Sequence, residues 1–153
     1  MKNNTKLEIT DDFLHRLPKT DLHVHLDGSL RLSTILELAE ERGVTLPADT
    51  AEGLAESISM GRKCEDLTDY LKGFDVTLSV LQDEQALYRA AYELAEDAAS
   101  ENVRYMEVRY SPILHTQKGM KLTRILESVL EGLSDARNRF GIHCNVIVCG
   151  IRH

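Results

Sequence analysis

Lys19 to Ser29 read KTDLHVHLDGS, and this stretch sets the fold class. Polar and apolar side chains alternate up to Leu26, which predicts a short strand, and the Asp-Gly-Ser that follows signals a turn. Side chains two residues apart project from the same face of a strand, so His23 and His25 place two imidazoles side by side. We therefore expect a strand that carries two histidines at its carboxyl end.

Helical and strand patterns alternate along the rest of the chain. Apolar residues recur at helical spacing in four segments, at 32–39, 67–74, 87–98 and 122–136. Asp83 is placed to cap the third of these helices, and Gly43 and Gly141 are placed to end the first and the fourth. Two further strands are predicted at 103–110 and 145–149, and the second is apolar almost throughout, as expected for a strand covered on both faces. This order predicts an α/β fold with a parallel sheet and right-handed crossovers.

The composition describes one acidic globular unit. The chain has 153 residues, with 18 Lys and Arg against 25 Asp and Glu and a formal net charge of −7, so no nucleic-acid partner is expected. No run approaches the roughly 20 apolar residues that span a bilayer, and the first residues are too polar for a signal peptide. We therefore expect a cytoplasmic protein with no membrane partner. We place a polar lead at 1–16 and a single domain at 17–153, and the three cysteines form no CxxC pair.

The two histidines stand where parallel α/β folds bind their ligands, at the carboxyl ends of the strands. Two neutral imidazoles suit half of a zinc site, which needs further His or carboxylate ligands and an open position for water. An HxH pair is also common by chance. From the spacing alone, a solvated or core-packed pair therefore remains an alternative.

Five blocks of the sequence, in order, resemble those of adenosine deaminases, a branch of the amidohydrolase superfamily. The first is the 19–29 stretch itself, which is similar to the first-strand signature of that family. The others are LPADTAEGL at 46–54, DYLKGFD at 69–75, EVRYSP at 107–112 and CGIRH at 149–153. The resemblance implies that the chain is the N-terminal part of a (β/α)8 TIM-type barrel of the metal-dependent hydrolase kind, about three strands with their helices.

The resemblance also implies roles for individual residues. His23 and His25 would bind a catalytic Zn²⁺, His25 would also face the substrate, and Asp27 would hold a sugar hydroxyl of a purine nucleoside. The related adenine deaminases tend to have Glu at the place of Asp27, so Asp27 favours a nucleoside. Residues expected to line the pocket or to form an apolar lid are Leu67, Tyr70, Leu71, Phe74, Ser111 and His153. For the first four of these, an ordinary helical core face is an equal alternative.

Other polar residues match no functional position of the family. We expect His15, His115 and His143 to be surface histidines or histidines with satisfied hydrogen bonds. Glu107 and Arg109 share one face of the second strand, and we assign them to structure.

The reaction that the resemblance implies is hydrolytic deamination of adenosine, and of deoxyadenosine, with release of ammonia and with inosine as the product from adenosine. Zinc would lower the pKa of a bound water. The family takes its remaining zinc ligands and proton-transfer residues from later strands, so no catalytic residue is assigned in this chain. A barrel of this kind takes about 250 residues or more. The 153-residue chain alone is therefore expected to be inactive, to bind zinc weakly and to self-associate through an exposed barrel edge.

Two alternatives stay open. The first keeps the amidohydrolase barrel but changes the substrate to adenine, to an N6-modified purine, or to an unrelated amide or ester. The second is a truncated, non-catalytic homologue that acts by binding a partner.

Overall fold

A computed structural model describes the backbone of residues 9–58 and 67–151, and the side chains of 9–58 and 73–151. The described strands form one parallel sheet in the order β1-β2-β3, so the predicted parallel α/β fold is confirmed. The strands are β1 (Lys19–His25), β2 (Val103–Tyr110) and β3 (His143–Val148). The helices are α1 (Asp11–Arg16), α2 (Leu32–Arg42), α3 (Ala51–Ser57), α4 (Leu67–Val80), α5 (Glu84–Ser100) and α6 (Leu122–Phe140), with a short 3₁₀ helix at Pro112–His115.

The predicted helix boundaries are confirmed where a specific residue was assigned to them. Gly43 and Gly141 follow α2 and α6 with φ of 62° and 73°, a left-handed conformation that favours glycine. Asp83 caps α5, since its carboxylate accepts a hydrogen bond from the backbone amide of Ala86 at 2.9 Å.

The core lies between one face of the sheet and the helices. Met106, Val108 and Tyr110 alternate along β2 and are each at most 1% exposed, and they join α2, α5 and α6 in a single apolar cluster. The residues between them, among them Glu107 and Arg109, face the opposite side of the sheet and are only partly buried. The second face of the sheet is therefore polar and accessible in the described part of the chain.

Two predictions about burial are corrected. β3 is not covered on both faces in the described part, since His143, Asn145 and Val148 are exposed, the last of them by 55%. The apolar stripe of α6 is narrower than predicted: Ile125, Val129, Leu133 and Ala136 are buried, whereas Leu122 and Leu130 are about half exposed. Leu122 is the first residue of α6, and Leu130 lies outside the face that the buried residues share. Among the described helices, none combines the length and hydropathy needed to span a membrane.

Lys19, the first residue of β1, connects the ends of α1 and α5 through hydrogen bonds. Its ammonium group donates hydrogen bonds to the backbone carbonyls of His15, Leu17 and Glu101 at 3.0, 3.1 and 2.7 Å. The carbonyls of His15 and Leu17 lie at the end of α1, and that of Glu101 lies at the end of α5. One cation thus satisfies acceptors that two helix ends leave without partners.

Replacing Asp83 with Ala is expected to lower the free energy of unfolding by about 2 kcal/mol at pH 7, from the lost helix cap and the lost charged contact. The Arg42 guanidinium, which hydrogen-bonds to Asp83, holds the pKa of this carboxyl below its ordinary value of 3.8. A lowered pKa in the folded state means that this stability is present above pH 3.8 and is lost as the pH falls through the folded-state pKa. Urea unfolding of wild type and variant between pH 7 and pH 2.5 measures the difference.

Asp83→Asn is the matched control, since it keeps the capping oxygen and removes the charge. It is expected to lie between wild type and Asp83→Ala at pH 7. A stability difference between wild type and Asp83→Ala that is the same at pH 7 and at pH 2.5 contradicts the assigned role of the charge.

Candidate active site

The described site lies at the carboxyl edge of the sheet. β1 ends at His25 and β2 ends at Tyr110, and because the strands are parallel their following loops meet at the same edge. His25 is paired in register with Arg109, one residue before the end of β2. The residues that follow, Asp27 and Ser111, are both buried.

His23 and His25 lie beside each other, with ring centroids 5.4 Å apart and planes tilted by 31°. The register of β1 against β2 shifts between Asp21 and Val24, which are three residues apart but face Met106 and Val108, two residues apart. This is a β-bulge, a feature that re-aims side chains near a site. The Asp21 carboxylate fixes the bulge by accepting a hydrogen bond from the backbone amide of His23 at 3.0 Å.

The bulge is also held from the neighbouring strand. Arg109 donates a hydrogen bond from Nη2 to the carbonyl oxygen of Leu22 at 2.9 Å, within the irregular segment of β1. Glu107 accepts a hydrogen bond from the hydroxyl of Tyr105 at 2.9 Å. Both residues thus form hydrogen bonds within the sheet, and their assignment to structure remains a prediction.

Asp27 is only 5% exposed and lies next to the histidine pair. Its Oδ1 is 3.6 Å from Nδ1 of His25, a separation longer than a hydrogen bond. Burial raises the pKa of Asp27, and the nearby imidazoles of His25 and His115 act in the opposite direction. A carboxylate facing the Nδ1 side of a histidine leaves Nε2 available, which is how ligating histidines are oriented in metal sites.

Phe74 of α4 contacts the histidine pair. Its ring meets that of His25 edge-on at a centroid distance of 6.2 Å. The helix also covers the turn after β1, because a Cβ added to Gly28 would lie 3.3 Å from Cε1 of Phe74. The side chains of Leu67, Tyr70 and Leu71 lie outside the described part, so the lid remains a prediction for these residues.

Ser111 is buried at the carboxyl end of β2 and joins two strand ends. Its hydroxyl donates a hydrogen bond to the carbonyl of Cys149 at 2.9 Å, and the amide of Cys149 donates to the carbonyl of Tyr110 at 2.9 Å. This hydroxyl is therefore engaged with the backbone beside the pocket. His153, the other predicted pocket residue, lies outside the described residues.

His115 differs from the expectation. His15 and His143 are exposed, as expected for surface histidines, but His115 is fully buried, and within residues 9–58 and 73–151 only one of its ring nitrogens has a partner. Its Nδ1 is 2.8 Å from the carbonyl oxygen of Leu81, and burial lowers its pKa. The sequence signal that could have found it is the Ser-Pro after β2, which begins the 3₁₀ helix at the ligand-binding edge.

The imidazoles of His23 and His25 are two side chains of the described part that could serve as zinc ligands at this edge. Imidazole nitrogens are good zinc ligands, and a catalytic zinc takes three protein ligands with an open position. No cluster of three or more His, Cys, Asp or Glu side chains arranged for a metal occurs within residues 9–58 and 73–151. The chemistry of the donors therefore fits zinc, and the completion of its shell requires side chains from outside this part.

Comparisons with a family profile and with individual relatives identify the same family. A family profile described as adenosine deaminase matches residues 18–153. A probable adenosine deaminase of Dictyostelium discoideum is 45% identical over 153 residues, which is 100% of this chain and 20% of the relative. The adenosine deaminase of Enterococcus faecalis is 44% identical over 140 residues, covering 92% of this chain and 41% of the relative. The chain thus spans from a fifth to about two fifths of the length of these relatives.

Comparison with solved structures gives the same fold. An adenine deaminase from Arthrobacter aurescens matches with a TM-score of 0.76 and 30% identity over 86% of this chain and 39% of its own. The N6-mAMP deaminase of Arabidopsis matches with a TM-score of 0.73 and 32% identity, covering 90% of this chain and 42% of its own. An amidohydrolase from Burkholderia ambifaria with bound Zn matches with a TM-score of 0.74 and 28% identity, covering 95% of this chain and 40% of its own.

Proposed function

The chain belongs to the adenosine deaminase family, and from this premise we propose that the whole protein is a zinc-dependent hydrolase that converts adenosine and deoxyadenosine to their inosine products and ammonia. Its fold is the N-terminal part of the barrel shared with the amidohydrolase deaminases, and a hydrolytic deaminase is what the family supports in general. The observation that carries the finer proposal is the pair His23 and His25 beside a buried Asp27 at the carboxyl ends of parallel strands.

His23 and His25 would hold the zinc ion through their ring nitrogens. The bulge in β1 directs these rings, and the carboxylate of Asp27 faces Nδ1 of His25, which leaves Nε2 for the metal. When bound, zinc supplies a water of lowered pKa for attack on the purine carbon that carries the amino group. The side chains that complete the metal shell and protonate the ring are proposed to come from parts of the whole protein outside the described residues.

Asp27 would bind the sugar of the nucleoside through a hydrogen bond. A carboxylate accepts hydrogen bonds, and a ribose hydroxyl donates one. Because Asp27 is 5% exposed, a substrate that left its carboxylate without a partner would meet a desolvated polar group, which is unfavourable. Phe74, which is edge-on to His25, would exclude water from the apolar side of the pocket.

A second candidate keeps the chemistry and changes the substrate. Two of the matched solved structures are an adenine deaminase and an N6-mAMP deaminase, at 30% and 32% identity. Asp27 favours a nucleoside over a free base, since a free base has no sugar hydroxyl to donate to it. It does not by itself separate adenosine from a 5′-phosphorylated purine.

The test is turnover by the whole purified protein on adenosine, deoxyadenosine, adenine and N6-methyl-AMP, followed by the change in ultraviolet absorbance. We expect adenosine and deoxyadenosine to be turned over and adenine to have a kcat/KM at least about a thousandfold lower, the scale of rejection of an analogue that lacks a required hydrogen bond. Removal of metal with a chelator is expected to abolish turnover, and added Zn²⁺ to restore it.

Two results would contradict this proposal. Turnover of N6-methyl-AMP or adenine in preference to adenosine would show that the second candidate substrate class is the right one. A metal-loaded protein without turnover of any purine favours a non-catalytic homologue that acts by binding.

A further inference from the structure

Four buried side-chain polar atoms have no hydrogen-bond partner within the described part of the chain, and one of them, Nε of Arg109, belongs to a side chain on the face of β2 opposite the core. The other three belong to residues beside the site. They are Oδ1 of Asp27, the hydroxyl of Tyr110 and Nε2 of His115. The exposed fractions of these residues are 5%, 1% and 0%. Buried polar groups are nearly always hydrogen-bonded, so three such atoms in one region require an explanation.

The three residues come from neighbouring places in the fold. Asp27 follows β1, Tyr110 ends β2, and His115 lies in the 3₁₀ helix that follows β2. The rings of Tyr110 and His115 are 5.7 Å apart between centroids. Asp27 and His115 are close enough for their charges to interact, as are Asp27 and His25.

The hydrogen bond to Leu81 determines which nitrogen of His115 carries the proton. The carbonyl oxygen of Leu81 can only accept, so Nδ1 of His115, at 2.8 Å, must be the donor. Burial disfavours the charged ring, and in the neutral imidazole the other nitrogen is then an acceptor. Nε2 therefore carries a lone pair without a partner in the described part, in a ring that lies next to Tyr110 and interacts electrostatically with Asp27.

We propose that His115 and Tyr110 are positioning residues for Asp27, and that one buried water molecule closes their cluster. The water accepts a hydrogen bond from the Tyr110 hydroxyl and donates one each to Oδ1 of Asp27 and Nε2 of His115. These three bonds satisfy all three atoms, and about three bonds is the usual number for a buried water. Oδ1 is then fixed, and Oδ2 is left for the sugar hydroxyl of the substrate.

This inference rests on the proposed function, since it concerns how Asp27 selects a nucleoside. If the cluster holds the carboxylate, its loss weakens binding of the sugar and leaves the chemistry at the purine unchanged. The expected signature is a raised KM with an almost unchanged kcat, because an interaction made equally in the ground state and the transition state is removed.

Two substitutions at His115 separate positioning from packing. His115→Asn can keep the contact to the carbonyl of Leu81 through its amide nitrogen but has no atom at the position of Nε2. His115→Gln can place an amide oxygen near the position of Nε2 and gives up the contact to Leu81. We expect His115→Asn to raise the KM for adenosine about tenfold, the effect of one hydrogen bond to a charged group, and His115→Gln to recover most of this loss.

The assays use the whole metal-loaded protein with adenosine and with the three adenosine analogues that each lack one sugar hydroxyl. In wild type, the analogue without the hydroxyl that Asp27 binds is expected to be the poorest substrate. The preference for adenosine over that analogue should fall about tenfold in His115→Asn, whereas a merely structural role would affect both substrates alike. Tyr110→Phe leaves the contact between His115 and Leu81 intact and should shift this preference in the same direction.

The outcomes separate the two proposals. Wild-type protein without turnover of adenosine overturns the proposed function, and this inference with it. Wild-type turnover together with an unchanged preference in both His115→Asn and Tyr110→Phe overturns the positioning role alone. If His115→Asn does not fold, the preference measured in Tyr110→Phe decides.

Discussion

Replacing His25 with Ala in the whole protein is expected to lower kcat/KM for adenosine by on the order of a thousandfold or more, because a catalytic zinc site that loses one of its three protein ligands no longer holds its metal in working geometry. The fold should be retained. His25 is not part of the apolar core cluster, so its replacement leaves the core packing of the described part intact. Activity, bound zinc and the urea unfolding midpoint are measured on the same preparations.

His143→Ala is the matched control for this substitution. His143 is also an exposed histidine on a strand, but it begins β3, at the edge of the sheet opposite the candidate site. We expect this variant to keep the wild-type zinc content and turnover. A His25→Ala protein with wild-type zinc content and activity would show that the histidine pair is not the metal site.

Replacing Gly132 with Ala is expected to destabilise the protein by about 3 kcal/mol, a typical effect of overpacking a closely packed contact. A Cβ at this position would lie 2.3 Å from the carbonyl oxygen of Tyr88 and 3.2 Å from Cβ of Ala91, so α5 and α6 would have to move apart. Alanine is a better helix former than glycine by about 1 kcal/mol, which offsets only part of this loss. The difference in unfolding free energy is measured by urea denaturation.

Ser134→Ala is the control for Gly132→Ala, since Ser134 is an exposed residue of α6 two positions away. It is expected to change stability by less than about 0.5 kcal/mol. A Gly132→Ala protein as stable as wild type would mean that the two helices are not in close contact at this position.

The sequence predicted the elements whose ends carry specific chemistry. Gly43, Asp83 and Gly141 each mark a helix boundary that local hydrogen bonding and backbone conformation determine, and each lies where it was predicted. The burial of β3 and the width of the α6 stripe were predicted less well. Both depend on which element packs against which, and periodicity along one segment contains no information on its neighbours.

The sequence identified the candidate site residues but did not predict the orientation of their side chains. The alternation of KTDLHVHL predicts a strand with two histidines on one face, but not the bulge at Asp21 to Val24 that directs them. A bulge is defined by the partner strand, here through Arg109 and the carbonyl of Leu22. His115 was predicted to be a surface histidine or one with satisfied hydrogen bonds, and its burial could not be predicted because it depends on a contact with the carbonyl of Leu81, which follows α4.

The anchoring of Lys19 bears on how such a protein can be engineered. The ammonium group ties the ends of α1 and α5 at the amino edge of the sheet, and the histidines lie at the opposite edge. In parallel barrels, residues at the amino edge of the strands contribute mainly to stability, and residues at the carboxyl edge carry out the chemistry. Substitutions around Lys19 should therefore alter the half-life of the protein at high temperature and leave its choice of substrate unchanged, so heat resistance and selectivity can be optimised in separate rounds.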